Sequence, residues 1–286
     1  MSTPPSIAVV GSVNLDFVAT GAALPSPGET VTGAVLSRHP GGKGANQALA
    51  ARRLGARVTM YCRVGADALA GEATSLMTDG GVSLAGMTLD TQNPTGVALI
   101  AVAPNGENLI VVCPGANAAF TPDFLAPLEA DAVIGQLEVP VETVMKAAKG
   151  ARKMFAVNLA PARDVPEALL TRADLIIVNE TEAAFYGDKL KSCRGLVATT
   201  FGAHGAALYK GGVEIARAKP PKVDAIDTVG AGDAFVAALV VFLVEGLEPQ
   251  AALTRACAVG ALATTKRGAQ TSLPTREEVE AILGAP

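Results

Sequence analysis

Asp227-Thr228-Val229-Gly230-Ala231-Gly232-Asp233-Ala234-Phe235 runs directly into the apolar stretch 236–244, so a glycine-bearing turn opens a helix with a carboxylate in its first turn. The first N–H groups of a helix lack internal partners and carry the positive end of its dipole, which suits them to hold an anion. Gly230 and Gly232 let the backbone approach that anion closely, and Asp233 stands near enough to take a proton from an attacking hydroxyl. The combination fits phosphoryl transfer. Taken alone, G-A-G-D reads equally well as an ordinary helix start with an acid chosen for capping.

A second glycine cluster, Gly41-Gly42-Lys43-Gly44-Ala45-Asn46-Gln47, also stands directly before a helical segment. It lacks the glycine spacing and the Ser or Thr after lysine that a Walker A loop requires. In one reading it is a glycine-rich helix entry with a surface lysine; in the other, Asn46 and the glycine backbone hold sugar hydroxyls by directional hydrogen bonds. Asn14 and Asp16 follow the first strand two residues apart, so they share one side of an extended chain at the carboxyl end of a sheet, where open α/β sheets bind ligands. Capping of a turn would explain them as well, and Glu138, after another strand, carries the same ambiguity. Asn179-Glu180-Thr181-Glu182 follows a strand and opens a helix, so its acids complement the dipole or, alternatively, reach the metal and phosphates of a nucleotide. Thr200-Phe201-Gly202 ends a further strand and either borders a nucleotide or begins a hairpin; His204 takes no catalytic role.

Elements that can position these residues alternate along the chain. Residues 7–11, 58–64, 132–136, 154–159, 175–178 and 196–200 are short, apolar and rich in β-branched side chains, and 44–54, 69–79, 141–149 and 165–170 have helical spacing. Such alternation predicts a mostly parallel sheet with helices on both faces. Helices over 232–245, 249–265 and 276–283 follow. Residues 17–36 and 95–112 instead look like strand pairs punctuated by turns, with a hairpin at Pro104-Asn105-Gly106-Glu107, and such an insertion makes a small sheet able to serve as a lid or a dimer surface.

With 286 residues, half of them hydrophobic, the chain can bury one large core. A net charge of −4 with scattered Lys and Arg offers no field for nucleic acid or an anionic membrane. The longest apolar run, 234–244, is short of the roughly 20 residues of a membrane span, and the polar start lacks the regions of a signal peptide. Two histidines far apart argue against a zinc site or a histidine triad. Four separated cysteines, three in apolar surroundings, read as buried free thiols in a reducing cytosol.

These clusters, together with Pro27-Gly28-Glu29-Thr30, Gln136-Leu137-Glu138, the stretch from Asn158 to Arg163 and Gly268-Ala269-Gln270, resemble in their order the ribokinase branch of the PfkB carbohydrate kinase family over nearly the whole chain. The resemblance implies one ribokinase-like α/β domain over 1–286, a three-layer sandwich with a mostly parallel central sheet and a small β-sheet lid, its strands inserted at about 14–37 and 95–113. It implies a cytoplasmic, ATP-dependent kinase, with a homodimer clasped through the lid. Asp233 resembles the catalytic base, and Gly230, Ala231 and Gly232 the anion hole. Asn14, Asp16, Gly42, Lys43, Asn46 and Glu138 match sugar-binding positions, and Asn179, Glu182, Thr200 and Gly202 match nucleotide and magnesium positions. Asp227, Val229, Ala263, Lys266, Gly268 and Ser272 match the ligands of a monovalent cation, usually potassium.

Two departures stand out. The stretch between Glu182 and Leu196 is shorter than in relatives, which trims the nucleotide side, and Leu159 replaces a common proline, a change confined to the local turn. D-ribose, phosphorylated at O5, is the expected substrate. Another sugar or a nucleoside is the alternative, the latter disfavoured by the absence of Trp, and a catalytically silent sugar or nucleotide sensor is a third reading.

Overall fold

The computed structural model describes residues 3–21 and 23–284. The chain opens with β1 (Ser6–Val10), β2 (Asn14–Thr20) and β3 (Val35–Gly41), followed by helix α1 (Lys43–Arg53). Strand β4 (Arg57–Gly65), α2 (Ala68–Asp79), β5 (Ser83–Asp90), β6 (Gly96–Val102) and β7 (Asn108–Cys113) come next. Then β8 (Ala130–Gln136), α3 (Val141–Ala147), β9 (Ala151–Asn158), α4 (Glu167–Arg172), β10 (Leu175–Asn179), α5 (Glu180–Tyr186) and β11 (Leu196–Thr200) alternate. A hairpin of β12 (Ala206–Lys210) and β13 (Val213–Ala218) precedes α6 (Ala231–Val244), α7 (Pro249–Ala263) and α8 (Arg276–Ile282).

Nine strands form one sheet in the order β13-β12-β11-β10-β9-β8-β1-β4-β5. Every pairing from β11 to β5 is parallel, and only the β12–β13 hairpin adds antiparallel strands at one edge. Side chains of a strand alternate between faces, and both faces of this sheet are covered. Ile7 and Val9 therefore join one core with α1, α6 and α7, while Ala8 and Val10 join the other with α3 and α4. Helix α6 is buried on all sides from Asp233 to Phe242, which explains its unbroken apolar sequence. Among the described residues no helix is long and apolar enough to cross a membrane.

A separate four-stranded sheet has the order β3-β2-β6-β7. Its strands lie close to the expected lid segments, with differences at the ends. The first begins at Asn14 rather than Phe17, and the second lies at Val35–Gly41 because Asn14 pairs with Gly41. Pro40 is tolerated there since β3 is an edge strand, where a missing N–H interrupts no ladder. The expected hairpin turn forms between β6 and β7, with Gly106 at φ +87° and its N–H donating to Ala103 O. Strands β5, β12 and β13 lie outside the elements expected from sequence, and α4 starts after Pro166, two residues later than expected.

Candidate functional site

Helix α6 starts at Gly230, whose φ of +79° favours glycine, and a Cβ there would lie 2.8 Å from the Cα of Ala269. The helix N-terminus is thus seated against the loop that follows α7. Asp233, in the first turn, is only 7% exposed. Its carboxylate is taken up by α1: Asn46 Nδ2 donates to Oδ2 at 2.8 Å and Gln47 Nε2 to Oδ1 at 2.9 Å. The two glycine clusters, 187 residues apart at Asn46 and Asp233, therefore converge on one carboxylate. Asn46 Oδ1 is buried without a partner, an acceptor left for a ligand hydroxyl.

The start of α1 is held by the strand ends beside it. Gly42 has φ +91°, and any side chain on it would strike Asn14 N and Ser12 O. The first-turn N–H groups find partners within the protein: Lys43 N donates to Glu138 Oε2 at 3.1 Å, Gly44 N to Ser12 Oγ at 3.3 Å and Ala45 N to Ser12 O at 3.0 Å. The backbone of this cluster is thereby committed to positioning. Ser12 Oγ also donates to Glu138 Oε2.

Asn14 and Asp16 lie in β2 itself, on one face of the small sheet. Asn117, in a 3-10 turn, fixes Asn14 by donating Nδ2 to its Oδ1 at 2.8 Å and to Val13 O at 3.0 Å. Gly96 and Gly41 leave the room these side chains occupy, since a Cβ on Gly96 would lie 2.3 Å from Asn14 Oδ1 and one on Gly41 2.3 Å from Asp16 Oδ2. Burial, and secondarily the charge of Glu138, push the Asp16 carboxyl up to about 6.

Asp233 borders a small cavity of about 150 Å³ lined also by Lys43, Asn158, Asn179, Glu182 and Gly230. Asp233 is the main cause of an upward shift in the Lys43 pKa; burial opposes it, and Glu138 and Glu182 add to it. Lys43 thus shares a cavity with the residues expected to meet the nucleotide. Asn179 and Glu182 form a reciprocal capping box at the start of α5, each backbone N–H donating to the other's side chain at 2.8 Å. These residues cap the helix, and both also line the cavity, with the Glu182 carboxyl raised chiefly by burial.

A larger cleft of about 810 Å³ opens beside the small cavity, with Gly202, Pro221, Val223, Phe235 and Cys257 in its walls. That volume and the apolar lining suit an organic ring system. Thr200 and Gly232 line both spaces and are the only residues common to them. The turn at Gly202–His204 both borders the cleft and joins β11 to β12. The short 183–195 stretch holds the rest of α5 and one 3-10 segment, Gly187–Ser192. Leu159 donates its N–H to Ile177 O at 3.0 Å, a bond that a proline there would forgo.

The residues matched to a monovalent cation gather next to the start of α6. Asp227 accepts from Val229 N at 3.0 Å and from Gly268 N at 2.9 Å, and Thr264 O accepts from the N–H groups of Ile226 and Asp227. Ser272 is buried in the same loop. Among the described residues no group of three or more His, Cys, Asp or Glu is arranged to hold a metal. All four cysteines are free thiols, Cys113 exposed and the others buried.

Five residues with no role read from the sequence support this site: Ser12, Gln47, Asn117, Gln136 and Asn158. All are buried polar side chains. Gln136 interrupts an otherwise apolar strand end, and that break in pattern was the available clue.

The chain matches the family model described as pfkB family carbohydrate kinase over residues 4–276. A ribokinase of Bacillus subtilis is 38% identical over 292 residues, covering 97% of this chain and 99% of that protein. The crystal structure of a ribokinase from Thermotoga maritima superimposes with a TM-score of 0.90 at 31% identity, covering 98% of this chain and 99% of the other. A structure of Arabidopsis thaliana ribokinase complexed with ribose and ATP gives a TM-score of 0.88 at 28% identity over 99% of this chain and 100% of the other.

Proposed function

This chain belongs to the PfkB family of carbohydrate kinases, and we propose that it transfers the γ-phosphoryl group of ATP to O5 of D-ribose. The observation that carries the reading is the buried Asp233 carboxylate, fixed by two amides at the start of α6 and bordering the space between a polar cluster and a large cleft. Ribokinases related over nearly the full length, one of them bound to ribose and ATP, supply the choice of substrate.

Asn14, Asp16, Asn46 and Glu138 hold the sugar hydroxyls, with the start of α1 at Gly42 and Lys43 setting their frame. Asp233 accepts the proton of the primary hydroxyl as its oxygen attacks the γ-phosphorus and ADP departs. The N–H groups at Gly230 and Gly232 face the charge on the transferred group, Ala231 between them joins by releasing the N–H it donates to Thr228 O at 3.3 Å, and Lys43 adds a cation on the same side. Asn179, Glu182, Thr200 and Gly202 flank the nucleotide. Glu182 Oε2 accepts from Asn179 N, which leaves Oε1 for a hydrated magnesium ion, a metal that takes few protein ligands. Magnesium, when bound, offsets phosphate charge. The loop clipped by Asp227 fits a monovalent cation, potassium, held by Asp227, Val229, Ala263, Lys266, Gly268 and Ser272 mainly through carbonyl oxygens.

The whole chain acts as one domain, with the four-stranded sheet as its lid. Free thiols and ATP use suit the cytoplasm. A silent sensor has no use for a carboxylate held in this way. A coupled assay of ADP release over pentoses, hexoses and nucleosides, with and without potassium, tests the reading: ribose should give the highest kcat/KM, and equal turnover of all substrates would overturn it.

A further inference from the structure

Asp233 is held by more than its two direct partners. Gln47, 0% exposed, donates Nε2 to Asp233 Oδ1 at 2.9 Å and to Asn158 Oδ1 at 3.3 Å, while its own Oε1 accepts Gln136 Nε2 at 2.6 Å. Asn158 Nδ2 in turn donates to Ile177 O at 3.2 Å. A carboxylate only accepts, so Gln47 must present its NH₂ to Asp233 and its carbonyl oxygen to Gln136, and Gln136 must present its own NH₂. This direction leaves Gln136 Oε1 buried without a partner, against Gly11, whose missing Cβ makes the space. A buried orphan acceptor is a cost, and it accompanies the orientation in which the Gln47 amide donates to Asp233.

We propose that Gln47, oriented by Gln136, is a positioning residue that fixes the rotation of the Asp233 carboxylate toward the acceptor hydroxyl. The inference rests on Asp233 being the base. Gln136 lies in β8 and Gln47 in α1, so the relay ties the carboxylate of α6 to the central sheet through two elements. Asn46 alone would leave one oxygen of the carboxylate free to swing, and small misplacements of a reacting group cost as much as about 10²-fold in rate.

The test is a set of single and double variants assayed with ribose, ATP and magnesium. Gln47→Leu should lower kcat by about 10- to 100-fold while both KM values stay within about twofold. Gln136→Leu, one step farther from the carboxylate, should lower kcat by about 3- to 10-fold with the same KM pattern, circular dichroism confirming that each variant folds. In an Asp233→Ala background, either leucine variant should cost no further activity, because the group it positions is gone. Full multiplicative losses in that background would overturn the proposal and leave Asp233 as the base. Wild-type kcat in both single leucine variants would overturn it too. Wild-type kcat in Asp233→Ala alone would instead remove the functional reading beneath it.

Discussion

At the scale of single residues, the site depends on two carboxylates in different surroundings. Asp233 receives two amide donors and borders the cavity, whereas Asp16 is pushed up to about 6 by burial and by Glu138. Asp233→Ala should lower kcat by about 10²–10⁴-fold, the usual scale for a lost general base, with the fold intact by circular dichroism. Asp16 leads to a pH effect. Its folded pKa lies above the ordinary 3.8, so the ionised form is disfavoured in the fold, and this group's contribution to stability declines as pH rises from roughly 4 through 6. A sugar donating hydroxyls to Asp16 prefers the ionised form, so its affinity should fall about tenfold per pH unit below 6. Calorimetric titration with ribose between pH 5 and 7.5 reads this directly, and Asp16→Asn should weaken binding and flatten the profile.

At the scale of elements, the register of β2 against β3 decides where Asp16 stands, since Gly41 pairs with Asn14 and vacates the space Asp16 fills. Gly41→Ala should raise the KM for sugar several-fold and leave that for ATP nearly unchanged, which separates the two sides of the site kinetically. Much of this level was legible in the sequence. Apolar β-branched runs give the parallel strands, and the apolar run after Asp233 gives a helix buried on all sides. The β12–β13 hairpin carries a recognisable signal, a Gly211-Gly212 turn between two strand-like runs. Strand β5, Ser83–Asp90, contains Ala85 and Gly86 and thus lacks strand propensity; pairing with β4 decides its conformation. The relay through Gln47, Gln136 and Asn158 was illegible for another reason. Its members are 89 and 111 residues apart, and nothing local indicates that buried amides will meet.

At the scale of the whole molecule, the two edge strands of the small sheet expose apolar side chains. Leu109, Ile110, Val111 and Val112 in β7 and Val35 and Leu36 in β3 are all exposed, an unusual concentration for a surface left to water. Pairing of two lids would cover them, as in the homodimer that the family resemblance implies. Sedimentation at micromolar concentration should give a dimer, and Ile110→Asp should give a monomer with weakened sugar binding; a wild-type monomer would refute the clasp.

Gly232 lines both the small charged cavity and the large cleft, yet an added Cβ there would meet no atom within 4 Å. A methyl group at this position is therefore free of the packed interior while standing where the small cavity meets the large cleft, the doorway of the proposed triphosphate path. Gly232 is not among the glycines with positive φ, so alanine fits its backbone in the first turn of α6 and, by restricting the unfolded chain, adds about 0.4–1 kcal/mol of stability. Gly232→Ala should accordingly melt at a slightly higher temperature than the parent and turn over more slowly, so at this doorway durability and speed pull in opposite directions.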